Sequence, residues 1–67
     1  MTLATSSCLE DLASNQLRSA LQRCNNSVET FPDQPEPWRD RSLVQTLLGY
    51  HIQACRDVEQ AIALLDD

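Results

Sequence analysis

Apolar residues first fall into a clear pattern from Leu17 onward. Leu17, Ala20, Leu21, Cys24 and Val28 recur at helical spacing, while Arg18, Ser19, Gln22, Arg23 and Asn25 fill the opposite side. That periodicity predicts an amphipathic helix of about three to four turns. Upstream, Leu9, Leu12 and Ala13 give a shorter stripe, and Ser7-Cys-Leu-Glu10 fits a capping box in which Ser7 and Glu10 satisfy each other's backbone N–H. Ser14-Asn15 either breaks this stripe from the next or is polar helix surface. If unbroken, one helix runs from Ser7 to about Thr30, and periodicity alone leaves both arrangements open.

Phe31-Pro-Asp-Gln-Pro-Glu-Pro37 ends that helix, because its three prolines cannot sit in a helix interior. Pro35 and Pro37 are tolerated in a first turn, so a new helix is expected from about Pro35 to Leu48, with Trp38, Val44 and Leu48 inward and Ser42 as a small contact point. Gly49, the one glycine of the chain, stands where a helix ends at positive φ. Beyond it Ala54, Val58, Ala61, Ile62 and Leu65 predict an inward stripe on a last helix, with Arg56, Asp57 and Glu59 solvated. Ala54 and Ala61 are small enough to let two helix backbones approach closely.

Offsetting the chain against itself by 34 residues lays Ala20 on Ala54, Cys24 on Val58, Val28 on Ile62 and Asn15 on Gly49. Residues 36–65 resemble a tetratricopeptide repeat: Trp38, Leu48-Gly49, Ala54 and Ala61 stand at that family's signature spacings, and Pro32 where it often closes a repeat. Gln45 and His51 depart from it, standing where the family usually has aromatics, and Ala4 replaces the first unit's tryptophan. The resemblance implies an all-α fold of about four helices, two antiparallel helix-turn-helix hairpins stacked as a right-handed unit. One domain over 1–67 is expected, with a degenerate first repeat at 1–31, a proline-rich corner at 32–37 and a second repeat at 38–67.

Composition narrows the chemistry. Ten acidic residues face five arginines and no lysine, a net charge of −5 that repels phosphate backbones, so no nucleic-acid partner is expected. No stretch has the apolar length of a membrane span and the start lacks a signal-peptide pattern, so a cytoplasmic location is expected. Cys8, Cys24 and Cys55 are odd in number with no C-x-x-C pair, which suggests small apolar core thiols and neither a disulfide framework nor a zinc site. His51 has Cys55 one turn away but no third ligand, and a single glycine excludes phosphate-cradling loops. No catalytic residue, metal or cofactor is expected.

The family's peptide groove is its inner helical face. Carried onto this chain, it implies a protein-binding strip of Leu9, Leu12, Leu43 and Leu47 edged by Glu36, Arg39 and Asp40. The expected function is a small adaptor that binds another protein or peptide. The alternative is an acidic, antitoxin-like inhibitor that occludes a basic site. Two repeats bury little surface, about 60% of the unfolded total for a chain this short, so a homo-oligomer or an obligate partner is expected.

Overall fold

The computed structural model describes residues 8–9 and 16–65 of the chain. Three helices account for most of them: α1 (Leu17–Thr30), α2 (Pro35–Leu48) and α3 (His51–Leu65). The all-α expectation holds for these residues, but four helices in two stacked hairpins do not. Among the described residues before α1 there is a short 3₁₀ turn at Cys8-Leu9 and no further helix. The expected cap at Ser7 to Glu10 and the break at Ser14-Asn15 lie outside the described residues, as does Leu12.

The boundaries have local causes. Thr30 donates its hydroxyl to the Asn26 carbonyl at 2.8 Å in the last turn of α1, and the Phe31 N–H still reaches Ser27 O at 2.8 Å before the prolines stop the ladder. Gln34 is extended at φ −107°, ψ 139°, and Pro35 starts α2 where its missing N–H costs nothing. Trp38 ties the corner to the helix by donating its indole N–H to Pro32 O at 3.0 Å. At the far end Gly49 takes φ 88°. The Gly49 N–H reaches Thr46 O at 3.0 Å and the Tyr50 N–H reaches Gln45 O at 2.8 Å, the paired bonds of a Schellman turn.

α2 is the middle of the fold. α1 packs on one side of it and α3 on another, and α1 and α3 do not pack against each other. α1 buries Ala20, Cys24 and Val28, a stripe at four-residue spacing, with Leu17 and Leu21 half-buried beside it. α3 buries Ala54 and Ala61 against α2, so the close approach expected of these small residues is realised. The same helix departs from expectation on its other positions. Asp57 is buried, whereas Val58, Ile62 and Leu65 face solvent. The inward stripe of α3 is Ala54, Asp57 and Ala61, rotated from the one the apolar residues alone suggest.

The cysteines also depart from expectation. Cys8 and Cys24 form a disulfide across a separation of 16 residues, with Cα atoms 4.8 Å apart. Both are buried, and together with Ala20 and Val44 they make the centre of the core, against which Leu9, Leu21 and Leu48 pack. Closing a loop of this length stabilises a chain by about 3 kcal/mol through the unfolded state. For so small a domain that is a large share of the total. Cys55, by contrast, is exposed and free.

Candidate functional site

Arg41 is the residue that joins the three helices. Its Nε and a terminal nitrogen donate to the two oxygens of Asp57 on α3 at 2.6 and 2.9 Å, and its other terminal nitrogen donates to Asn25 Oδ1 on α1 at 3.0 Å. The guanidinium also lies 5.2 Å from the centre of the Trp38 ring. A two-pronged arginine–carboxylate pair is among the stronger polar contacts a protein makes. The Asp57 carboxylate, by its hydrogen bonds, holds the Arg41 guanidinium above even its ordinary basicity. Because α1 and α3 do not pack against each other, this clamp links the outer helices through the central one.

A second buried carboxylate has no such partner. Asp40 is 5% exposed, and its Oδ2 lies 3.9 Å from Cys8 Sγ. The disulfide sulfur carries no hydrogen to donate, and the nearest cation, Arg39, is 3.7 Å away on an exposed side chain. Burial accordingly raises the Asp40 pKa; Arg39 offsets part of the effect and Glu36 adds to it. Gln45 is buried as well, and its side-chain carbonyl oxygen finds no donor.

The expected protein-binding residues separate into groups. Leu43 and Leu47 are 46% and 54% exposed, and Glu36 and Arg39 are exposed on the same face of α2, as a groove lining requires. Asp40 is not available there, since it is turned into the core beneath them. Leu9 is half-buried against the disulfide cluster, a core contact and not a strip residue. Leu12 lies outside the described residues.

Sequence reasoning missed the free face of α3. His51, Cys55, Val58, Ile62 and Leu65 recur every three or four residues and are all exposed, forming a second stripe beside the buried one. Next to it a shallow recess of about 390 Å³ opens between the helices, lined by Thr46, His51, Ala54, Cys55, Val58 and Glu59. Thr46 neighbours Leu43 and Leu47 on α2, so the recess links the leucine ridge to the α3 stripe. The spacing shows these residues on a helix, but the inward placement expected of Val58, Ile62 and Leu65 beside Ala54 and Ala61 is wrong, because spacing alone does not fix which side of the helix faces α2.

Among the described residues no group of three or more His, Cys, Asp or Glu side chains is placed to hold a metal ion. No described helix is long and apolar enough to cross a membrane. Compared with protein-family models, curated proteins and solved structures, the chain matches none.

Proposed function

We propose that this chain is a non-catalytic helical adaptor that binds another protein through apolar side chains its own fold leaves uncovered. The supporting observation is the exposure of Leu43 and Leu47 on the central helix, beside Glu36 and Arg39, while the largest side chains fully buried are only Val44 and Cys24. A fold that buries small and polar side chains at its centre and leaves Leu43 and Leu47 exposed reserves apolar area for association. The helix pair α2–α3, with Trp38, Gly49, Ala54 and Ala61 at its joints, supports reading this half as a tetratricopeptide-like hairpin. Burial of Leu43 and Leu47 supplies affinity, and Glu36 and Arg39 at the rim set orientation.

The test is a pull-down from the native host with wild type beside the double variant Leu43→Asp plus Leu47→Asp, followed by direct binding to the purified captured protein. Retention of the partner by the double variant would remove the groove from the proposal. The net charge of −5 keeps the acidic-inhibitor reading as the second one. An acidic decoy loses affinity steeply as ionic strength rises, while leucine burial holds.

A further inference from the structure

α3 carries two helix-packing stripes. One, Ala54, Asp57 and Ala61, is spent on α2. The other runs from His51 through Cys55, Val58 and Ile62 to Leu65, and at about 100° per residue its centre lies roughly a quarter-turn round the helix from the first. Val58, Ile62 and Leu65 are 42%, 59% and 69% exposed. α1 does not pack on α3, and from α2 Thr46 comes to the edge of this side at the recess. Its spacing is that of a surface which seats a helix, and the recess at Thr46, Ala54 and Val58 offers a hollow for one large side chain.

Charge says what kind of helix. Glu59 borders the stripe, and the last turn of α3 contains no basic residue, where helix carbonyls already concentrate negative potential. The sequence continues from Leu65 with Asp66-Asp67. Arg56, the one arginine of α3, lies on the far side by helical position. A second copy pairing stripe to stripe would set the same Glu59 and Asp66-Asp67 against each other.

Resting on the adaptor reading above, we infer that the exposed α3 stripe seats an amphipathic helix of another protein, with Lys or Arg along its flank towards the Leu65 end. The probe is a labelled synthetic leucine–lysine amphipathic peptide of about five helical turns, with a twin carrying glutamate for every lysine. Fluorescence anisotropy should give measurable binding of the lysine peptide and binding weaker by about tenfold or more for its glutamate twin. Val58→Asp plus Ile62→Asp should weaken the lysine peptide by about tenfold or more. Those substitutions add negative charge, so attraction by charge alone would strengthen binding, and that result would overturn the assignment. Val58→Ser plus Ile62→Ser gives the same reading without added charge, and circular dichroism checks that both variants stay helical. A wild type that ignores both peptides, or a wild-type dimer dispersed by the α3 substitutions with no peptide bound, would overturn the stripe assignment. Neither result touches the host pull-down on Leu43 and Leu47, which judges the adaptor reading separately.

Discussion

Asp40 shows how one residue couples the core to pH. Burial raises its pKa above the ordinary aspartate value of 3.8, so the folded state binds this proton more tightly than the unfolded state does. Below the unfolded pKa both states are protonated and the residue carries no penalty. As pH rises through the unfolded and then the folded value, a charged carboxylate must be kept beside the Cys8–Cys24 sulfurs, and stability falls. Asp40→Asn is therefore expected to be more stable than wild type at neutral pH, with the difference vanishing in acid. Thermal midpoints of the two proteins from pH 3 to 7 check this; a constant difference across that range would mean that Asp40 acts through shape and not charge.

At the scale of elements, the turn between α2 and α3 depends on one backbone angle. Nothing lies within 4 Å of the position a Cβ would take at Gly49, so an added methyl group meets no obstacle and the cost of Gly49→Ala is its φ of 88° alone. Holding an L-residue there costs about 1–2 kcal/mol. Chemical denaturation should show that loss with the helical signal of the folded state unchanged, and no loss would mean that the turn relaxes to another form. This turn was legible in the sequence because it is local, as were the proline corner and the stripe of α1. What was not legible depends on contacts between distant residues. Asp57 reads as a solvated acid until Arg41 is placed opposite it, and Cys8 reads as a lone thiol until α1 brings Cys24 beside it. α3 carries two stripes at helical spacing, one of them interrupted by Asp57, and no periodicity within the helix says which of them α2 will cover. The candidate site shared that division: Leu43, Leu47, Glu36 and Arg39, implied by the repeat resemblance, share one exposed face of one helix, whereas the burial of Asp40 and Leu9 follows from a disulfide across 16 residues.

For the whole molecule, the question is what keeps three helices in one arrangement when the outer two do not meet and the apolar core is small. The side chains of Arg41 and Asp57 are only 20% and 6% exposed, so removing either one strands the other's charge in a poorly hydrated seam. Losing one partner of such a pair costs about 3–5 kcal/mol, comparable with the whole stability of a domain this size. Arg41→Ala should therefore unfold the chain or leave it only partly helical at room temperature, and it also removes the bond to Asn25 that reaches α1. Replacing both partners, Arg41→Met with Asp57→Leu, strands no charge and adds apolar contact, so it should recover most of that loss. Asn25 loses its partner in both variants, which makes the double variant the cleaner measure of the ion pair itself. Circular dichroism melts of wild type, the single variants and the double variant form the cycle. A double variant no more stable than Arg41→Ala would show that the guanidinium's reach to three helices matters beyond charge. In that case the angle between α1 and α3, and with it the pose of the leucine ridge, is set by polar geometry that apolar packing cannot replace.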